Sequence, residues 1–180
     1  MRAIQTILVP VDFSDCSSEV VERASELARG LGAKLRLLYV VEPPDGIALD
    51  TPLKTGQNGD HNKTVIEYLT GDAEARFPPY FEQTHDIATE TMVRIGPAGD
   101  TILDSADEIH ADLIVMGTHG RTGLAHLLLG SVAEQVLRGA TCPVFTVRSE
   151  HKARCKAKSC NWCNSGITDA ERQVRAEVDA

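Results

Sequence analysis

Short apolar runs alternate along the chain with longer stretches in which apolar residues recur every three or four positions. The runs predict buried strands, and the longer spacing predicts amphipathic helices. Predicted strands occupy residues 4–11, 34–41, 87–95, 112–116 and 143–148. Predicted helices start near Ser14, His61, Pro97 and Ser131. Turn-rich residues from Glu42 to about residue 60 predict a long loop, and Pro78-Pro79 is predicted to interrupt the helix that starts near His61. Regular alternation of this kind predicts an α/β fold, with an open parallel sheet and helices on both of its faces.

A glycine-rich segment follows the fourth predicted strand. It contains Gly117, Gly120 and Gly130, and Gly130 stands directly before a serine. Ser131 and Glu134 have the S-x-x-E spacing of a capping box, which predicts the N-terminus of a helix at Ser131. Glycines allow an anion to approach the backbone closely, and a helix N-terminus favours negative charge. The segment therefore predicts a phosphate site.

Composition narrows the classes of function. Hydrophobic residues make up 42% of the chain but aromatic residues only 4%, so the core is predicted to be aliphatic. A net charge of −8 argues against nucleic-acid binding. No apolar run approaches the roughly 18 residues of a membrane span, and the N-terminus does not resemble a signal peptide. We therefore expect a cytoplasmic protein without a membrane or nucleic-acid partner. In that compartment its five cysteines predict thiols or metal ligands rather than disulfides.

The glycine spacing resembles the ATP-binding signature of the universal stress proteins, and it reads Gly117-x2-Gly120-x9-Gly130-Ser131. Residues 7–14 resemble the first strand and nucleotide loop of that family, and residues 142–147 resemble its last strand. The resemblance covers residues 1–148, which we predict to be the nucleotide-binding domain. It implies an adenine nucleotide alpha hydrolase-like sheet with strand order 3-2-1-4-5. In such a sheet the strand order reverses between strands one and four, where ligands bind.

The resemblance implies that ATP lies across the ends of strands one, two and four, with Mg²⁺ or Mn²⁺ on its phosphates. The implied nucleotide-binding residues stand at strand ends or in the glycine-rich segment: Pro10, Val11, Asp12, Val40, Val41, Met116, Gly117, His119, Gly120, Arg121, Gly130, Ser131 and Val132. Asp12 can accept hydrogen bonds from ribose hydroxyls or help to hold a metal. The alternative is that its carboxylate only stabilises a helix dipole.

The main functional hypothesis is a dimeric, ATP-binding regulatory protein of the stress response. The resemblance implies a homodimer that pairs through strand five, whose apolar edge at residues 144–147 would otherwise promote unwanted association. The first alternative is an enzyme on the same scaffold, a slow ATPase or a nucleotidyl transferase. The sequence has no P-loop lysine motif and no evident base to activate water, so it predicts slow ATP hydrolysis at most.

Residues 149–180 lie outside the resemblance and form a predicted C-terminal tail. His151, Cys155, Cys160 and Cys163 make up a complete set of tetrahedral zinc ligands. His110 or a residue of the dimer partner could replace His151 in that set. The alternatives are redox-active or disulfide-bonded thiols, or no role. This segment suggests the second alternative function: a metal- or redox-linked module that binds an unknown protein partner.

The end of the tail has the pattern of a short docking helix. Thr168 and Glu171 have capping-box spacing. Apolar residues then recur on one face of the predicted helix: Ile167, Ala170, Val174 and Val178.

Overall fold

A computed structural model describes residues 3–44, 46–53, 63–118, 129–148 and 169–178 of the chain. Strands and helices follow one another in this order: β1 (Thr6–Pro10), α1 (Asp15–Leu31), β2 (Lys34–Val41), β3 (Pro52–Leu53), β4 (Lys63–Thr64), α2 (Val65–Ala75), α3 (Pro78–Gln83), β5 (Thr89–Ile95), α4 (Ala98–Glu108), β6 (Leu113–Gly117), α5 (Ser131–Gly139), β7 (Val144–Val147) and α6 (Asp169–Val178).

The main sheet has five strands in the order β5-β2-β1-β6-β7, and every pair in it is parallel. This arrangement confirms the predicted fold class and the predicted order 3-2-1-4-5. The central strand β1 pairs with β2 on one side and with β6 on the other. The carboxyl ends of β1 and β6 therefore lie side by side, which brings Asp12 close to Gly117.

Apolar side chains of the central strands are buried on both faces of the sheet. Ile7 and Val9 pack into one cluster, together with residues of α1, α2, α3 and α6. Leu8, between them on β1, packs into a second cluster with residues of α4 and α5. Because both faces are covered by helices, the strands consist of nearly continuous apolar runs, as is usual for parallel sheets.

The segment between β2 and β5 differs from its prediction. We predicted a loop from Glu42 to about residue 60 and a helix starting at His61, but α2 begins at Val65. Thr64 and Glu67 form a capping box, in which Glu67 Oε2 accepts the Thr64 amide at 2.8 Å and Thr64 Oγ1 accepts the Glu67 amide at 3.4 Å. The short strand β3 also lies within the predicted loop and pairs with β4. Residues 54–62 lie outside the described part of the chain.

The tail helix α6 is present and packs against α2 and β3. Ala170 and Val174 are buried in the same cluster as the α2 side chains. Tyr68 on α2 donates a hydrogen bond from Oη to Gln173 Oε1 at 2.7 Å. Burial raises the pKa of Tyr68, and nearby carboxylates act in the same direction, so the phenol keeps its proton. Of the predicted apolar face, Ala170 and Val174 are buried, whereas Val178 is 38% exposed. Ile167 and Thr168 lie outside the described residues.

Candidate functional site

A cavity of about 210 Å³ opens at the carboxyl ends of β1, β2 and β6. Most of the sequence-predicted site residues that the structure describes line it: Pro10, Val11, Asp12, Val40, Met116, Gly117, Gly130, Ser131 and Val132. The cavity therefore lies where the strand order reverses, which is the usual ligand position in sheets of this kind.

Val41 does not belong to the cavity wall, unlike its neighbour Val40. Its side chain is 4% exposed and packs in the core, and its carbonyl accepts the Gly96 amide at 3.0 Å. Successive side chains of a strand point to opposite faces of the sheet, and Val41 points to the face whose cluster contains Ile7 and Val9. The predicted site residues His119, Gly120 and Arg121 lie outside the described residues.

Hydrogen bonds hold the Asp12 carboxylate, just after the end of β1, in one orientation. Three donors meet its Oδ1 atom: the Ser14 amide at 3.0 Å, Ser14 Oγ at 2.5 Å and Ser17 Oγ at 2.6 Å. Ser17 Oγ also accepts the Asp12 amide at 3.0 Å. The second carboxylate oxygen, Oδ2, is buried without a hydrogen-bond partner among the described residues. A buried acceptor left unsatisfied costs about 1–3 kcal/mol, which a ligand hydroxyl donating to Oδ2 would recover.

Phe13 follows Asp12 with a positive φ of 58°. This left-handed backbone is rare for a bulky residue and costs about 1–3 kcal/mol. The Phe13 ring lies 4.6 Å from the Tyr39 ring and 5.1 Å from the Phe77 ring, measured between centroids. The Arg76 guanidinium lies 4.5 Å from the centroid of the same ring. These contacts surround the residue that links the carboxylate to α1.

The opposite wall of the cavity carries the N-terminus of α5. The predicted capping box is wrong here: Gly130 is the N-cap and Ser131 is the first helical residue. Among the described residues, no side chain caps the helix. The Glu134 amide donates to the Gly130 carbonyl at 2.9 Å, and the Glu134 carboxylate pairs with Arg138 at 2.7 Å. A helix N-terminus without a side-chain cap keeps backbone donors available to an anion.

Several residues that line the cavity were missed in the sequence: Ser14, Cys16, Ser17, Val20, Leu38, Tyr39, Glu42, Ala98, Ile102, Thr118 and Ala133. Ser14 could have been found, because it lies two residues after Asp12 in the spacing of an Asx turn. Glu42 accepts the Ala98 amide at 3.3 Å and so caps α4 from the end of β2. That long-range contact has no local sequence signal.

Clusters of metal-binding side chains are absent from the part of the chain that the structure describes. Within it, no cluster of three or more His, Cys, Asp or Glu residues could hold a metal ion. All four predicted zinc ligands, His151, Cys155, Cys160 and Cys163, fall outside the described residues. Cys16 and Cys142 form no disulfide, and burial raises the pKa of the Cys142 thiol. None of the described helices is long and apolar enough to cross a membrane.

The chain belongs to the universal stress protein family, whose sequence profile matches residues 3–148. Universal stress protein MJ0531 of Methanocaldococcus jannaschii is 32% identical over 148 residues, which cover 81% of this chain and 83% of that protein. The structure of universal stress protein UspA from Lactobacillus plantarum superposes with a TM-score of 0.64 at 28% identity, covering 82% of this chain and all of that one. A universal stress protein solved in complex with cAMP has a TM-score of 0.60 at 26% identity, covering 82% and 98% of the two chains.

Proposed function

We propose that the protein is a cytoplasmic regulatory protein that binds an adenine nucleotide, with ATP as the ligand, in the cavity between β1, β2 and β6. The observation that carries the proposal is the pair of features in the cavity wall. On one side Asp12 Oδ2 is buried without a partner in the described structure, and on the other side α5 begins without a side-chain cap. A nucleotide offers ribose hydroxyls to the first and phosphate oxygens to the second. The similar protein that was solved with cAMP supports the same class of ligand.

The residues around the cavity suit the three parts of a nucleotide. Asp12 Oδ2 would accept a hydrogen bond from a ribose hydroxyl, because its other oxygen is already held by serine donors. Ser131 and Val132 would bind phosphate through backbone amides at the start of α5. The Gly130 amide already donates to the Thr118 carbonyl at 2.7 Å, so Gly130 would contribute room for the phosphates rather than a donor. Val40 at the end of β2 lies in the cavity wall, where its backbone would meet the adenine.

A divalent cation would enter the cavity with the phosphates. Asp12 and Glu42 line the cavity. Two carboxylates alone cannot hold a cation, so further ligands would be needed. This donor set fits Mg²⁺, which is usually bound by one or two carboxylates together with substrate phosphates and water. The cation would neutralise phosphate charge, and Asp12 and Glu42 would orient it.

Replacing Asp12 by alanine is expected to weaken ATP binding by about 1–3 kcal/mol, because hydrogen bonds to a charged group are lost. Isothermal titration calorimetry with ATP and with adenosine measures the effect. If Asp12 binds ribose, both ligands lose affinity in proportion. If it acts only on a cation, adenosine binding stays the same.

The matched control is Asp104→Ala, which removes an exposed carboxylate from α4. Asp104 does not line the cavity, so its variant should bind ATP like the wild type. Undiminished binding of both ligands by Asp12→Ala would contradict the proposed site. A wild-type protein that binds no adenine nucleotide would overturn the proposed function itself.

We further propose a homodimer that pairs through β7. β7 is an edge strand of the main sheet, and in the described structure it pairs with β6. The sequence predicted an exposed apolar edge at residues 144–147, but Val147 is 7% exposed and packs in the core. Phe145 is the exposed large residue of the strand, at 45%.

Phe145→Lys is expected to raise the dimer dissociation constant by about tenfold or more, equivalent to about 1.4 kcal/mol. A charge on an edge strand opposes pairing with a second edge, and the lost ring removes apolar contact. Light scattering over a concentration series measures the change. The control is Phe81→Lys on α3, since Phe81 is 43% exposed and lies away from the edge. A Phe145→Lys dimer as tight as the wild type would place the interface elsewhere.

For the tail we retain the zinc proposal, which the donor chemistry of His151, Cys155, Cys160 and Cys163 supports. We expect one zinc ion per chain, with Zn–S distances of about 2.3 Å and a Zn–N distance of about 2.0 Å. Metal analysis and X-ray absorption after expression with added zinc test this. Protein with little bound zinc, or with a Cys160–Cys163 disulfide when freshly purified, would contradict it.

A further inference from the structure

We propose that Phe13 is a positioning residue for nucleotide binding: its packed ring holds the backbone in the left-handed turn that presents Asp12 to the cavity. The inference rests on the proposed nucleotide function. Phe13 itself does not line the cavity, whereas Asp12 and Ser14 on either side of it do. Any effect of Phe13 on a ligand would therefore pass through its neighbours.

The turn at Phe13 is what allows the Asp12 carboxylate to be held from the following residues. Ser14 donates to Asp12 Oδ1 both from its amide and from its hydroxyl, so the chain must fold back within two residues. Ser14 is also the N-cap of α1, and its carbonyl accepts the Ser17 amide at 2.9 Å. With Oδ1 fixed in this way, Oδ2 remains as the atom to meet a ligand.

Packing contacts of the Phe13 ring stabilise this turn. Aromatic residues are only 4% of the chain, yet Phe13 meets Tyr39, Phe77 and Tyr80 with centroid distances between 4.6 and 6.1 Å. The Arg76 guanidinium packs over its face. Offset and edge-to-face ring pairs and a cation over a ring are favourable contacts. They fix the side chain against α2 and α3, and a fixed side chain leaves the backbone little freedom to leave the left-handed region.

A packing role and a positioning role for the Phe13 ring predict different effects when the side chain is truncated. If the ring only fills space, any truncation lowers stability and leaves the geometry of Asp12 unchanged. If the ring maintains the turn, truncation matters to the ligand only when the new residue disfavours a positive φ. Alanine and glycine separate the two cases, because both remove the ring while glycine alone adopts positive φ without steric cost.

The experiment compares Phe13→Ala with Phe13→Gly by calorimetry with ATP and by urea unfolding. We expect Phe13→Ala to raise the dissociation constant by about tenfold or more, and Phe13→Gly to stay within about threefold of the wild type. Both variants should be less stable than the wild type, since both lose the ring. Leu69→Ala, which shortens a buried side chain of α2 that is not among the ring contacts of Phe13, should lower stability and leave affinity unchanged. Equal affinities in the alanine and glycine variants would overturn the inference.

A second measurement keeps this test independent of the nucleotide. NMR hydrogen exchange at the Ser14 amide reports its bond to Asp12 Oδ1 directly. Protection should be lost in Phe13→Ala and restored in Phe13→Gly. A wild type that binds no nucleotide but shows this exchange pattern would refute the proposed function and support the role of Phe13 in placing Asp12. ATP binding that depends on Asp12, with exchange at Ser14 unaffected by Phe13→Ala, would refute the role of Phe13 alone.

Discussion

Replacing Gly130 by valine is expected to abolish nucleotide binding and to leave the protein folded. Gly130 is the N-cap of α5 and lines the cavity, so a side chain there would occupy the space through which phosphates reach the helix amides. Its φ of −76° and ψ of 157° are extended backbone that valine readily adopts. The loss should therefore come from exclusion of the ligand rather than from backbone strain.

Calorimetry should show a dissociation constant raised by at least about 100-fold, or about 2.7 kcal/mol. Gly130→Ala should give an intermediate loss, because its side chain is smaller. The control is Gly30→Val in the last turn of α1, where an added Cβ meets no atom within 4 Å. Full ATP affinity in a folded Gly130→Val protein would remove α5 from the proposed site.

The five strands of the main sheet could be predicted from hydrophobic periodicity, but the order of these strands in the sheet could not. Alternation of apolar runs with helical spacing predicted a parallel sheet, since parallel strands need helical crossovers. Periodicity contains no information on which strands become neighbours. The order β5-β2-β1-β6-β7 was predicted through the family resemblance carried by the glycine spacing. That order in turn explains why Asp12 and Gly117, far apart in sequence, line one cavity.

Errors arose where one short motif has two structural readings. Pro78 and Pro79 predict an interruption of a helix, yet they begin α3, because proline fits the first turn of a helix. Ser131 and Glu134 match a capping box, but the helix begins one residue too early for that box to form. Thr64 and Glu67 have the same spacing and do form the box. Spacing alone cannot distinguish the two, because backbone geometry at the N-cap decides which side chain reaches the amides.

The tail beyond the family match contributes to the core through α6. The second large expected effect is therefore a loss of stability when α6 is disrupted. Val174→Asp should destabilise the protein by about 2–4 kcal/mol. Val174 is fully buried, and burying such a side chain stabilises by about 1.5–3 kcal/mol. A carboxylate cannot be buried there without a partner, so α6 should undock. Undocking also breaks the hydrogen bond between Tyr68 and Gln173, worth about 0.5–1.5 kcal/mol.

Urea unfolding of the full chain measures this loss, and hydrogen exchange in α2 shows whether its α6-facing side becomes exposed. The matched control is Val178→Asp on the same helix, where the side chain is 38% exposed and the change should cost less than about 1 kcal/mol. ATP affinity should be unaffected in both variants, because α6 packs on α2 and β3 and does not line the cavity. Equal stability of the two variants would mean that α6 contributes nothing to the fold, whereas a loss of ATP binding in Val174→Asp alone would show that the tail helix also supports the nucleotide site.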